Sequence, residues 1–150
     1  MFDDPTGRFQ ILSAEYSRLF SAYEQAGYSL DGLNSSERVF LLVFMADSAI
    51  HSDGIYSLWF NNHGLLDTAE VVESFQAVGA LGRAKVIESF VRAASHVPRE
   101  ADIVARSKQM RKLSRSWPDD DELSEDYFSC CEDMDDLLIS FLARNKTPEE

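Results

Sequence analysis

Cysteine is almost absent: there are two in 150 residues, and they are neighbours, Cys130 and Cys131. Adjacent thiols cannot staple distant segments, which argues against a disulfide framework and for a reducing compartment. Their simplest reading is two small half-buried residues on a helix. Histidine is as scarce, with only His51, His63 and His96, and no G-x-S-x-G elbow sets a serine beside a base. Nucleophilic catalysis therefore has no visible machinery. The seven glycines never form G-x-G-x-x-G or a Walker pattern, so phosphate-cradling loops are lacking as well. No apolar run approaches the ~20 residues that span a bilayer. Met1 is followed by Phe2, Asp3, Asp4 and Pro5 rather than by the apolar stretch of a leader, and a cytoplasmic protein is expected. Sustained two-residue alternation and internal repeats are missing too, which leaves little room for sheet or solenoid.

Positive charge is the next shortage. Fourteen Lys and Arg face 26 Asp and Glu, for a net charge of −12. The distribution is uneven. Residues 1–82 carry 11 acids and 3 bases, residues 83–115 carry 3 and 9, and residues 116–150 carry 12 and 2. Such a surface repels nucleic acid and anionic membrane, so neither is expected to bind directly, and a basic protein partner is favoured. The plainer alternative is that acidic surfaces keep proteins soluble.

What is present is helical periodicity, and 45% apolar residues suffice for one core in a chain of this length. From Phe9, apolar residues at Leu12, Tyr16, Leu19, Phe20 and Tyr23 predict a helix that stops at Gly27. Asn34 with Glu37 is a capping pair, and the apolar run Val39 to Ala46 continues through Ile50 to Asp53-Gly54 as a central helix. A short third helix carries Ile55, Leu58 and Trp59, closed by Asn61, Asn62, His63 and Gly64. Asp67 with Glu70 caps a fourth, with Val71, Val72, Phe75 and Val78 inward, ending at Gly79 and Gly82. In the fifth, Ala84, Ile87, Phe90, Val91 and Ala94 face the core, Lys85, Glu88 and Arg92 face water, and Pro98 ends it.

The sixth helix, Glu100 to Arg115, is expected to pack through Ile103, Val104, Met110 and Leu113. Its bases Arg106, Lys108, Arg111, Lys112 and Arg115 gather toward the C-terminus, where the helix dipole favours them. After Trp117-Pro118 and the acidic loop Asp119-Asp120-Asp121-Glu122, one last helix shows a seam of Leu123, Tyr127, Cys130, Met134, Leu137 and Phe141. Glu125, Asp126, Glu132, Asp133 and Asp136 fall off that seam, toward water. Residues 145–150 read as a frayed tail. The expected fold is an all-α, single-domain bundle of about six to seven helices spanning residues 1–150.

Metal sites have two weak candidates: His51, Asp53 and His63 around the third helix, whose spacing fits no zinc pattern, and Asp119 to Glu122, which lacks the glycine of a calcium loop. Neither is adopted, and no cofactor is expected. Paired-carboxylate catalysis depends on which acids are buried together, and nothing points to a pair. The chain reads as a non-enzyme.

Two stretches carry a family resemblance. Asp53-Gly54-Ile55-Tyr56-Ser57-Leu58-Trp59-Phe60-Asn61-Asn62-His63-Gly64, followed by Ser74-Phe75-Gln76-Ala77-Val78-Gly79-Ala80, resembles the N-G-G-F-x-Q-[FY]-x-x-N-x-x-G and A-L-x-x-I-G-A signatures of the DNA mimic protein 19-like domain family. Asp126-Tyr127-Phe128 and Glu132-Asp133-Met134-Asp135-Asp136-Leu137-Leu138 resemble its last helix. The likeness covers roughly residues 35–142. It departs at Ser52 and Asp53, where the family usually has Asn and Gly, and at Ser57, where it often has Gln. The resemblance implies an all-helical bundle that presents carboxylates in place of DNA phosphates and so occupies a DNA-binding protein.

Three functions follow as expectations. The leading one is an acidic interaction module, a DNA mimic that occupies a basic DNA-binding regulator through Asp119, Asp120, Asp121, Glu122, Glu125, Asp126, Glu132, Asp133 and Asp136. On one continuous helix, Glu125, Glu132 and Asp136 would track a row of phosphates over about 16 Å. The basic block at 83–115 would spoil the imitation if it shared that face. The second is a small-molecule binder or enzyme with a pocket at Trp59, Asn61, Asn62 and His63. The third is an immunity or inhibitor protein for a basic toxin or nuclease. A homodimer stays open.

Overall fold

Asn34 starts the longest helix, α2 (Ser35–Asp53), by the reciprocal cap its spacing predicts. Its side chain accepts from the Glu37 amide at 2.9 Å, and the Glu37 carboxylate accepts from the Asn34 amide at 3.0 Å. Two orphan donors of the first turn are thereby satisfied. The computed structural model describes residues 7–60, 68–94 and 100–145, which form eight α-helices and one 3-10 turn, with no strand among them. The chain is an all-α, single-domain bundle, with slightly more helices than the six to seven expected.

α2 is its axis. Phe40, Leu41, Leu42, Val43, Ala46 and Ile50 are all buried, more than one stripe can account for, as a helix surrounded by others requires. α1 (Arg8–Gln25), α3 (Ser57–Phe60), α4 (Thr68–Ala77) and α8 (Met134–Arg144) all pack on it. α5 (Leu81–Ala94) lies against α4 and α7 (Asp120–Phe128), while α6 (Ile103–Leu113) reaches α3. α4 ends as predicted at Gly79, whose φ of +90° lets the Ala80 amide bond back to the Phe75 carbonyl at 2.9 Å. Gly82 is no stop, because it lies within the first turn of α5. The Asp67 cap, the Pro98 terminator and tail residues 146–150 lie outside the described residues.

Two expectations need correction. Ile103 and Val104 do not pack inward: they are 44% and 61% exposed, and the buried residue of α6 is Arg106. Its guanidinium donates to the carbonyls of Glu100 at 2.7 Å, Phe60 at 3.0 Å and Ala101 at 3.3 Å. Those carbonyls are beyond the reach of any helix ladder, and a five-donor fork on one side chain satisfies several at once.

The last helix is two. α7 stops at Phe128, and α8 starts after Asp133, whose carboxylate accepts from the Asp136 amide at 3.1 Å. The seam survives the break, since Leu123, Tyr127, Met134 and Phe141 are all buried. Cys130 and Cys131 lie in the intervening turn rather than on a helix; the first is half-buried, the second exposed, and both are free thiols.

Candidate interaction surface

α7 is anchored at its start by the turn that ends α2. Gly54 there has φ +83° and ψ 178°, a region open only to glycine. The Asp120 carboxylate fills the space where a Cβ on Gly54 would stand, at 2.8 Å, and accepts from the Tyr56 amide at 2.9 Å. Ser124 Oγ accepts from the Ile55 amide at 3.2 Å, and the Tyr56 hydroxyl donates to the Pro118 carbonyl at 2.6 Å. Partial burial, with Asp120 and Asp119 nearby, raises the Tyr56 phenol above its ordinary pKa. Farther along α7, the fully buried Tyr127 hydroxyl donates to Asp47 on α2. Burial and then that carboxylate push its pKa strongly upward, so it stays a donor. Asp47 is also 3.5 Å from His51 Nε2, and the His51 ring rests 4.9 Å from that of Phe128.

The nine carboxylates expected to meet a partner divide into two groups. Asp119 caps α7 by accepting from the Glu122 amide, and Asp120 is bonded as above. Glu132 turns inward instead of facing water, accepting from the Gly82 amide at 2.6 Å and the Arg83 amide at 3.1 Å. It supplies the cap that α5 lacks locally, because Gly79 and Ala80 have no side-chain oxygen to offer. Arg83 Nη1 in turn donates to the Glu132 carbonyl at 2.6 Å, and the guanidinium carbon lies 5.0 Å from the centroid of the Tyr127 ring. Asp133 caps α8 and, with Asp136, pairs with Arg8 of α1. The bond from the Asp136 amide, then Arg8, holds the Asp133 carboxyl below the usual carboxylate range. Two residues on, partial desolvation raises the Asp135 carboxyl, and the neighbouring acids add to it.

The remaining four, Asp121, Glu122, Glu125 and Asp126, are exposed, and no ion pair among the described residues reaches them. They stand at i,i+4 spacing as Asp121 with Glu125 and Glu122 with Asp126, like-charge pairs on one short helix that has no base. The imagined row Glu125, Glu132, Asp136 is overturned, since the helix breaks between its members and Glu132 points away from the surface. Part of the basic block is withdrawn as well: Arg83 and Arg106 are buried, and Arg92 pairs with Glu88. Lys108, Arg111, Lys112 and Arg115 remain exposed, on α6 and the turn after it.

Trp59 is buried, its ring 5.4 Å from that of Trp117, whereas Asn61, Asn62 and His63 lie outside the described residues. A cleft of about 640 Å³ does occur elsewhere, between α1, the start of α2 and α8, lined by Ile11, Glu15, Arg18, Glu37, Ile139 and Leu142 among others. Among the described residues no three His, Cys, Asp or Glu are grouped to hold a metal, and no helix is long and apolar enough to cross a membrane. Sequence reasoning missed Arg8, Asp47, Arg83 and Arg106. Only the uncapped start of α5 gave a signal, because a helix beginning after Gly79-Ala80 needs an acceptor from elsewhere.

Comparison with known proteins returns no match among curated proteins and none among solved structures. Comparison with protein families matches residues 31–145, which take in every helix after α1 and the whole acidic segment, to the DMP19-like protein family. The chain is therefore a member of the DMP19-like protein family.

Proposed function

We propose that this protein is a non-enzymatic acidic interaction module that binds a basic protein, a DNA-binding regulator whose DNA it imitates, through the exposed face of α7. One observation carries the reading: Asp121, Glu122, Glu125 and Asp126 lack cationic partners among the described residues. A helix gains from acids in its first turn but loses from acids near its C-terminus, where Glu125 and Asp126 stand. Each like-charge i,i+4 pair costs a further ~0.2–0.5 kcal/mol. Charge held against local stability is what a surface kept for a cationic partner looks like. Family membership supports the same reading without supplying a partner.

The test is to immobilise the chain, elute bound proteins with a salt gradient and identify them. A DNA-binding protein released by salt, competed off by duplex DNA and lost with Asp121→Lys/Glu125→Lys is the expected result. Binding that ignores both salt and that double charge reversal sinks the idea. A nuclease or toxin in the eluate turns the reading to an inhibitor of that enzyme.

A further inference from the structure

We propose that Asp133 and Asp136 form an arginine-binding subsite at the start of α8, five residues beyond the end of α7, and that Arg8 occupies it in cis until an arginine of the basic partner takes its place. This rests on the reading of α7 as a partner surface. The chemistry of the subsite is shown by its resident. One guanidinium nitrogen, Arg8 Nη1, reaches both carboxylates, Asp133 Oδ2 at 3.2 Å and Asp136 Oδ1. The site is still open to approach, because the two Asp side chains keep 54% and 64% of their surface exposed.

Arg8 is poorly secured. It is the first residue of α1, where the helix dipole disfavours a cation. Gly7 before it makes no side-chain cap, and the first turn holds no acid. Phe9 and Ile11 are 69% and 51% exposed, so Leu12 is the first side chain of α1 to enter the core. The fit is also incomplete: both contacts come from Nη1, while Nε is shut off from water with no acceptor among the described residues. An arginine arriving from outside is free to present its fork to both carboxylates, the arrangement in which guanidinium binds acids best. Of the other acids on this segment, Glu132 is committed to the start of α5, and Asp135 adds its charge to the field around Arg8.

The experiment measures hexa-arginine peptide binding at low salt by the full chain, by Arg8→Gln and by Arg92→Gln, which removes the same charge from an exposed pair on α5. Amide exchange of residues 11–13, the first amides of α1 with a carbonyl acceptor, is followed in parallel. If Arg8 closes the subsite nine-tenths of the time, its removal tightens binding about tenfold. Arg92→Gln gives only the smaller gain due to net charge. Exchange at residues 11–13 quickens when peptide binds the unaltered chain. Equal effects of the two substitutions, or exchange unmoved by peptide, overturn the cis occupancy and leave the α7 reading standing. No binding of hexa-arginine by any form overturns both.

Discussion

Residues 119–126 and residues 132–136 are nearly alike in composition and opposite in fate. In the second stretch Glu132 caps α5, and Asp133 and Asp136 share Arg8. In the first, Asp119 and Asp120 are bonded to backbone amides while Asp121, Glu122, Glu125 and Asp126 face water. Formal charge is therefore not surface charge. A carboxylate that accepts backbone N–H groups neutralises part of a helix dipole, and its field outside the protein is correspondingly weaker. Only the first stretch keeps a concentrated, unpaired negative ridge.

The sharpest way to break this contrast is at Gly54, which makes room for Asp120. Gly54→Ala forces a non-glycine residue into a glycine-only region and sets a Cβ 2.8 Å from the Asp120 carboxylate. A loss of about 3 kcal/mol is expected in urea denaturation. Pairing it with Asp120→Ala removes the clash but not the strain and also takes the acceptor from the Tyr56 amide, so the double variant should cost less than the sum of the two single ones. Next comes Glu132→Ala, which leaves the Gly82 and Arg83 amides without their acceptor and is expected to cost about 2–3 kcal/mol. The same truncation at Glu125 should stay within about 0.5 kcal/mol. Equal costs at the two positions would erase the distinction.

Asp133 and Asp135 extend the comparison to pH. Asp133 is held below its ordinary pKa by the Asp136 amide and Arg8. Its stabilisation is complete above an unfolded value of about 3.9 and is lost as pH falls through and below that value. Asp133→Ala should cost about 1 kcal/mol at pH 7 and less at pH 2. Asp135 is raised by desolvation and its neighbours, so its ionised form opposes folding and stability returns as it takes up a proton. Asp135→Asn should therefore raise stability only slightly at pH 7, since the side chain is exposed and screened and also gives up a favourable first-turn charge, and should change nothing in acid. Denaturation curves across that pH range give both signs.

The fold was legible because its signals are local. The Asn34–Glu37 box, the α4 stop at Gly79 and the inward seam of Leu123, Tyr127, Met134 and Phe141 all appear where spacing put them. The break at residues 129–133 was hidden by that same seam, whose three- and four-residue steps run through the turn unbroken. Asp133 with Asp136 three residues on was a second cap signal, outvoted by the periodicity. Arg83, Arg106 and Glu132 were illegible for a different reason. Their partners are backbone groups brought near by tertiary structure, 46 to 49 residues away for the Arg106 bond to Phe60 and the Arg83 bond to Glu132. The ridge on α7 was visible as composition, but which acids stay free depends on those same distant bonds.

Another small effect bears most directly on function. Asp126→Lys turns the repulsive Glu122 pair into an attractive Glu-to-Lys pair at i,i+4 and places a cation in the last turn of α7, where the dipole favours it. A gain of about 0.5 kcal/mol is expected from urea denaturation. If the ridge serves only solubility, the substitution improves the protein and costs nothing. If the ridge is a binding face, the same variant is more stable yet binds its basic partner more weakly, with a shallower dependence on salt. A variant that gains stability and keeps its binding unchanged would place the partner surface elsewhere on the bundle.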